Sequence, residues 1–233
     1  MELALFLDID GTLLDHQSHP DAVKVDETLR GLISAAYFKL GGALALVTGR
    51  SIAMADRLFL PLELPVAGLY GVEMRLKPGE PFSPSEESEA LTSVIERLMG
   101  RFKPVEGIYF ERKGAVLAVH TRAAPGHLAA LLAAAEEALP ELENYRIIAG
   151  HAGLELVPIG VAKAAAIERF MSVSPFVGRK PVFIGDDTSD ESGFEQVNKV
   201  GGVSIRVRPN GPTAARETLP TVAAVHDWIR QTI

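Results

Sequence analysis

Five consecutive apolar residues, Leu3-Ala4-Leu5-Phe6-Leu7, run directly into Asp8-Ile9-Asp10-Gly11-Thr12-Leu13. An apolar run without polar alternation reads as a strand buried on both faces, as in a parallel sheet. Two later runs repeat the arrangement. Ala43-Leu44-Ala45-Leu46-Val47 ends in Thr48-Gly49-Arg50, and Pro181-Val182-Phe183-Ile184 ends in Gly185-Asp186-Asp187. Val200 to Val207 is a fourth candidate strand. Helical patterns at Glu27 to Leu40, Ser51 to Leu60, Val161 to Met171, Ser189 to Val197 and Thr221 to Thr232 lie between or after these runs. Gly41-Gly42 is placed to stop the first helix. Strands alternating with helices imply right-handed crossovers and an α/β fold built on a Rossmann-like parallel sheet. Such sheets bind ligands at the carboxyl ends of their strands. One strand ending in a polar turn is ordinary; three ending in clusters of Asp, Thr and Gly point to a site.

The middle of the chain breaks this pattern. Pro78, Gly79, Pro81 and Pro84 mark a loop. A helix from about Glu86 to Phe102 follows, then a strand pair at Gly107 to Glu111 and Ala115 to Thr121 with Lys113-Gly114 as its turn. Pro125 to Leu139 is an Ala/Leu-rich amphipathic helix. Arg146 to Ile148 and Leu154 to Val157 form a second hairpin around Gly150 and Gly153. Helix, two strands, helix, two strands is far too much structure for a loop and suits a small α+β domain. The expected organisation is a discontinuous core, residues 1–76 and 158–233, with an inserted α+β cap, or lid, at 77–157.

Bulk properties narrow the function. Of 233 residues, 47% are hydrophobic and 23% charged, with net charge -7 and pI about 5.4. An acidic surface repels nucleic acid and anionic membranes, so neither is an expected partner. The absence of cysteine excludes disulfides, thiolate catalysis and zinc held by thiolates. The first ten residues have no basic region and no long apolar run, so no secretory leader is expected, and no apolar stretch reaches membrane-spanning length. A cytoplasmic monomer is the expected setting.

The strand ends carry the chemistry. Asp8 and Asp10, two apart just past a buried strand, can turn toward one ligand if the strand opens there, and Gly11 permits the tight path. One carboxylate can attack phosphorus to form an acyl phosphate; the other can protonate a leaving oxygen and later activate water. Their mutual repulsion calls for a divalent cation, and oxygen donors suit Mg²⁺. Asp-x-Asp alone is usually a hydrated turn; the strand before it makes this one specific. Thr48, Gly49 and Arg50 offer a hydroxyl, backbone amides and a helix start for phosphate oxygens, although a structural turn explains the triplet equally well. Lys163, near a helix start, can neutralise a phosphoryl group and a carboxylate together, where a surface lysine is the plain alternative. Asp186-Asp187-Thr188-Ser189-Asp190-Glu191 places four acids in six positions, a costly arrangement unless a cation or helix N-terminus compensates.

In this order the four motifs resemble those of the haloacid-dehalogenase-like phosphatases, over essentially the whole chain. Within that superfamily the sequence is similar to the trehalose-6-phosphate phosphatases. Gly185-Asp186-Asp187-Thr188-Ser189-Asp190-Glu191 matches their Gly-Asp-Asp-x-Thr-Asp-Glu. Gly68-Leu69-Tyr70-Gly71-Val72-Glu73 and Glu111-Arg112-Lys113-Gly114, followed by His120 and Arg122, add to the likeness. The resemblance implies a Mg²⁺-dependent hydrolase of a sugar phosphate, trehalose 6-phosphate first. Asp8 would be the nucleophile and a Mg²⁺ ligand. Asp10 would be the general acid/base and a ligand through its carbonyl. Thr48 and Lys163 would hold the phosphoryl group. Asp186 would be the third ligand, with Asp187 and Asp190 beside it. Glu111, Lys113 and Glu155 would hydrogen-bond sugar hydroxyls, with His120 and Arg122 on the same surface. Without the family, a charged hairpin turn would explain Glu111 and Lys113. With the catalytic strand at the very N-terminus, no fused glycosyltransferase is expected.

Three departures bear on the substrate. The family usually has His where Tyr70 stands and Gly where Ala164 stands, and Ser189 replaces Thr but keeps the hydroxyl. Sucrose phosphate or mannosyl-3-phosphoglycerate are alternative substrates for the same chemistry. A phosphotransferase or mutase, or a binding protein that keeps the fold without turnover, are alternative functions. Intact Asp8, Asp10, Lys163 and Asp186 argue against the last.

Overall fold

The computed structural model describes residues 2–16, 23–150 and 153–233. The chain divides into two compact units, Met1–Phe82 with Ala162–Ile233, and Ser83–Val161.

In the larger unit, β1 (Leu3–Leu7) and β2 (Leu44–Val47) form where the apolar runs predict, and every side chain of β2 is buried. Asp26 caps α1 (Glu27–Lys39) by accepting from the Leu29 amide at 2.7 Å. Ser51 caps α2 (Ile52–Phe59) in the same way through the Met54 amide. Then come β3 (Val66–Gly68) and β4 (Glu73–Arg75), which sequence patterning did not signal because strands of three residues hold no periodicity.

After the smaller unit the chain returns through α5 (Lys163–Met171), β9 (Lys180–Gly185), α6 (Glu191–Lys199), β10 (Val203–Val207), β11 (Glu217–Leu219) and α7 (Val222–Thr232), with β5 to β8 and α3 and α4 belonging to the insertion. The fourth expected strand starts three residues late, since Gly201 takes φ 75° and turns the chain after α6.

The sheet order is β11-β10-β9-β1-β2-β3-β4, parallel except where β4 pairs antiparallel with β3. β1 is therefore flanked by β2 and β9, whose chain positions lie far apart. This is the point of strand-order reversal where open α/β sheets form a crevice at the carboxyl ends. Helix α1 packs with α7 and α5 packs with α6. Phe6, Phe170 and Phe176 form a fully buried aromatic trio with ring centroids 5.1–5.8 Å apart. It anchors β1 directly behind the acidic loop.

The smaller unit contains α3 (Glu89–Phe102), β5 (Tyr109–Lys113), β6 (Val116–His120), α4 (Leu128–Ala138), β7 (Tyr145–Gly150) and β8 (Gly153–Pro158). Its sheet is antiparallel in the order β5-β6-β8-β7. Leu117, Val119, Leu154 and Leu156 point to one face and pack with Leu91, Ile95 and Leu98 of α3 and Leu131 and Ala135 of α4. Alternation sends Glu111, Lys113, Ala118, His120 and Glu155 to the other face.

Phe6→Ala is expected to destabilise the larger unit by about 3–5 kcal/mol, because the trio cannot close over the cavity. Urea unfolding followed by tryptophan fluorescence reads this directly; an unchanged midpoint would show that the trio does not hold β1.

Candidate active site

Asp8 continues directly from β1, and its amide still donates to Ile184 O of β9 at 3.0 Å. Gly11 takes φ 82°, and a side chain there would overlap the Asp186 carboxylate, so the loop after β1 and the loop after β9 meet only because this residue is glycine. Lys163 is the first residue of α5 and is 2% exposed. Its ammonium donates to Asp8 Oδ1 at 2.8 Å and Asp190 Oδ1 at 2.6 Å. Chain segments separated by 155 and 27 residues are joined in this buried triad.

Asp190, fully buried, has both oxygens engaged. Oδ1 takes Lys163, and Oδ2 accepts from the Asp186 amide at 2.9 Å and the Asp187 amide at 3.0 Å. Asp190 thereby shapes the loop and aims Lys163. Asp187 and Asp190 form a reciprocal capping box at the 3₁₀ turn leading into α6, and the exposed Asp187 accepts from the Thr188 amide at 2.6 Å. Asp187 is directed to that cap and lies outside the carboxylate cluster.

Asp8, Asp186 and Asp190 offer oxygens all within 4.8 Å of one another. Three carboxyl groups share one ammonium, Lys163, in a buried place. Burial pushes the Asp8 carboxyl well above the usual range, opposed by Lys163 and reinforced by Asp190 and Asp186. Burial raises Asp186 as well, against a hydrogen bond from His16, whose Nε2 lies 3.0 Å from Oδ2. Asp186 Oδ1 is buried and has no hydrogen-bond partner among the described residues. An orphaned carboxyl oxygen in a cluster of three carboxyl groups that share one ammonium fits a hard divalent cation with oxygen ligands.

The other predicted residues flank this cluster. Arg50, 6% exposed, grips Asp10 with a two-pronged fork, Nε to Oδ2 and Nη2 to Oδ1, both at 2.7 Å. Thr48 Oγ1 accepts from the Arg50 amide at 3.1 Å, which leaves its hydroxyl proton available to another acceptor. Tyr70 completes this corner. Leu69 and Tyr70 both adopt left-handed backbone, φ 49° and 61°, and their amides donate to Arg50 O and Thr48 O at 2.9 and 3.0 Å. A Cβ at Gly49 would lie 2.6 Å from the Tyr70 hydroxyl, and the Lys163 ammonium lies 5.9 Å from the ring centroid.

Two residues that sequence reasoning missed brace the acidic loops. Arg206 of β10, 3% exposed, donates to Asp186 O at 3.2 Å and Glu191 Oε1 at 2.8 Å. Arg208, at φ 47°, donates to Gly11 O at 3.1 Å and Asp15 Oδ1 at 2.8 Å. Their i, i+2 spacing at the end of a strand was the available signal.

In the smaller unit, Lys113 Nζ lies 3.4 Å from both Glu111 Oε2 and Glu155 Oε1. Glu111, Ala118 and Glu155 are in register across three strands, and the small Ala118 side chain between them leaves room for the lysine to bridge. His120 Nε2 is 2.9 Å from Glu111 Oε2. Burial alone would raise Glu111, but the His120 hydrogen bond and the Lys113 charge hold it down at about 2. Arg122 lies in the exposed turn after β6 and makes no hydrogen bond with this cluster among the described residues. Tyr109, exposed and unforeseen, stacks on His120 with centroids 5.8 Å apart.

A family model described as trehalose-phosphatase matches residues 6–221. A probable trehalose-phosphate phosphatase of Sinorhizobium fredii is 41% identical over 224 residues, spanning 94% of this chain and 82% of that protein. The trehalose-6-phosphate phosphatase of Escherichia coli is 37% identical over 227 residues, spanning 97% and 85%. The C-terminal domain of a Candida albicans trehalose-6-phosphate phosphatase superposes with TM-score 0.84 at 19% identity, covering 99% of this chain and 91% of that one, a likeness of fold.

A divalent cation at about 100 times its dissociation constant is expected to stabilise the protein by roughly 2.7 kcal/mol. Asp186→Ala should remove that increment in a thermal-shift titration. An equal shift in both proteins would place the cation elsewhere.

Proposed function

The chain belongs to the trehalose-phosphatase family, phosphoric monoester hydrolases with the haloacid-dehalogenase-like fold, and from that membership we propose that it hydrolyses trehalose 6-phosphate to trehalose and phosphate. The observation that carries the chemistry is the Lys163 ammonium bridging Asp8 and Asp190 beside the orphaned Asp186 oxygen.

Asp8 is the proposed nucleophile. Its carboxylate oxygen attacks phosphorus, the phosphorus–sugar oxygen bond breaks, and an aspartyl phosphate forms. Lys163, donating to Asp8 Oδ1, faces both the nucleophile and the incoming phosphoryl charge. The Thr48 hydroxyl supplies a donor for a phosphoryl oxygen. Asp10 donates a proton to the departing sugar oxygen, then takes one from the water that attacks phosphorus and frees Asp8. Arg50 engages both Asp10 oxygens and fixes the orientation of the carboxyl group, while a second lone pair on each oxygen stays available for the proton.

Mg²⁺ is the proposed cofactor, held by Asp8, Asp186 and the Asp10 carbonyl, with Asp190 as the residue that shapes their loop. When bound, it supplies a positive charge that offsets the phosphoryl oxygens and keeps the Asp8 carboxyl ionised.

Selectivity is assigned to the smaller unit. Glu111, Lys113 and Glu155 form a fixed set of acceptors and donors on one sheet face, half-buried and mutually paired. A polyhydroxylated ring can replace these internal bonds with its own. A substrate without matching hydroxyls leaves buried polar groups without new partners, which is how such a site discriminates. Arg122 is the weakest member of the proposed set.

Asp8→Asn is expected to fold normally and lose turnover by at least a thousandfold, in the range seen when a nucleophile that acts as part of a unit is removed. Phosphate release at the wild-type rate would eliminate the nucleophile assignment. Glu111→Ala is expected to lower kcat/KM for trehalose 6-phosphate at least tenfold more than for 4-nitrophenyl phosphate. Equal losses on the two esters would move selectivity away from this cluster.

A further inference from the structure

We propose that the Tyr109 ring, backed by His120, is the stacking platform for the sugar ring that does not carry the phosphate. This rests on the reading of the chain as a sugar-phosphate phosphatase and names how the smaller unit takes the sugar.

The placement follows from register. Tyr109, Glu111 and Lys113 alternate along β5 and so share one face. Tyr109 pairs with His120 of β6, His120 with Gly153 of β8, and Gly153 with Gly150 of β7. One row of the sheet thus runs from two aromatic rings to two residues without side chains. The neighbouring row carries Glu111 and Glu155 on either side of Ala118. The result is a low floor with an aromatic wall at one end and hydrogen-bonding groups along its side.

Three properties select a neutral sugar ring over other occupants. Tyr109 is 41% exposed, unusually open for an aromatic ring, while the opposite face of the same sheet is packed with leucine and valine. Its ring lies 26° from the plane of His120 at 5.8 Å, and His120 is tied to Glu111, so the platform is held in one orientation before any ligand arrives. In the adjacent cluster the one ammonium, Lys113, is already shared by two carboxylates, so a phosphate or carboxylate ligand would have to displace Glu111 or Glu155 from it. A hexose ring offers what remains: an apolar face of C–H groups for the aromatic surface and equatorial hydroxyls for Glu111, Lys113 and Glu155. Lateral polar contacts with an apolar surface beneath are the usual composition of a small-molecule site.

The test compares Tyr109→Ala and Tyr109→Phe with the wild type on trehalose 6-phosphate, glucose 6-phosphate and 4-nitrophenyl phosphate. Tyr109→Ala should raise KM for the disaccharide ester about tenfold with kcat little changed, a size typical of one aromatic contact. KM for the two smaller esters should stay within about twofold, and Tyr109→Phe should behave as wild type on all three. Because Tyr109 is exposed, circular dichroism and the melting temperature should be unchanged. An unaltered disaccharide KM in Tyr109→Ala overturns the platform while leaving the phosphatase reading intact, as does a loss of the same size on the aryl ester. If the wild type prefers another glycosyl phosphate, that ester takes the place of trehalose 6-phosphate and the same criteria apply. A wild type that favours no glycosyl phosphate over the aryl ester removes both the platform and the sugar-phosphatase reading.

Discussion

One buried ammonium holds the catalytic end of the larger unit together. Lys163 sits at 2% exposure between Asp8 and Asp190, and no apolar residue could replace it without leaving two carboxylates facing each other in a desolvated place. Removing one member of a buried charged set typically costs several kcal/mol, because the partner's charge is stranded. The fold is arranged to make the set possible. β1 delivers Asp8, β9 leads to Asp190, and α5 begins at the lysine itself, while a Cβ at Gly71 would lie 3.2 Å from the Ala166 Cβ, so the turn after β3 comes this near α5 because that residue is glycine. Burial drives the Lys163 proton off and the two carboxylates hold it on, and the carboxylates win. The lysine is thus held cationic by its two carboxylate partners.

A second layer keeps the first in register. Arg206 and Arg208 leave the same end of β10, and each donates to a carbonyl of a different acidic loop, Asp186 O and Gly11 O. Their positive charges also lie close to a cluster with excess negative charge. Glu191 is shared between Arg206 and the Ala214 amide, at 2.8 and 2.7 Å, so the last acid of the motif ties the loop to the strand beyond. Four acids in six positions are therefore not four ligands. Asp187 caps a turn, Asp190 aims the lysine, Glu191 anchors the loop, and Asp186 is the acid left with an unused oxygen.

This division of labour explains what the sequence disclosed. The doubly buried strands β1, β2 and β9 are legible because unbroken apolar runs have few other solutions, and their polar ends locate the crevice. The roles inside Asp186 to Glu191 are not legible, since identical side chains differ only by which backbone amides they meet. β3, β4 and β11 are too short for a period, so the antiparallel pairing of β4 at the edge of the parallel sheet leaves no mark in the sequence. Arg206 shows in sequence only through its i, i+2 spacing from Arg208; the fold shows it buried on a carbonyl. Tyr109 reads as strand propensity, and its exposure depends on which face the helices α3 and α4 cover. The departure at Ala164 is explained locally. It occupies the second position of α5, where alanine is the better helix former by about 1 kcal/mol over glycine.

The departure at Tyr70 has more consequence. Two successive residues other than glycine in left-handed backbone, Leu69 and Tyr70, cost roughly 1–3 kcal/mol each and persist only when their surroundings fix them. Two amide hydrogen bonds to Arg50 O and Thr48 O supply that constraint, and they tie the turn to the loop that follows β2. The strain therefore serves to hold the Tyr70 ring against Gly49 and beside the Lys163 ammonium. A phenol there closes more of the corner than an imidazole would, and it does so without introducing a second titrating group next to Lys163 near neutral pH. The substitution thus leaves the charge balance around Asp8 to Lys163, Asp186 and Asp190, and changes chiefly the shape of the wall at Gly49.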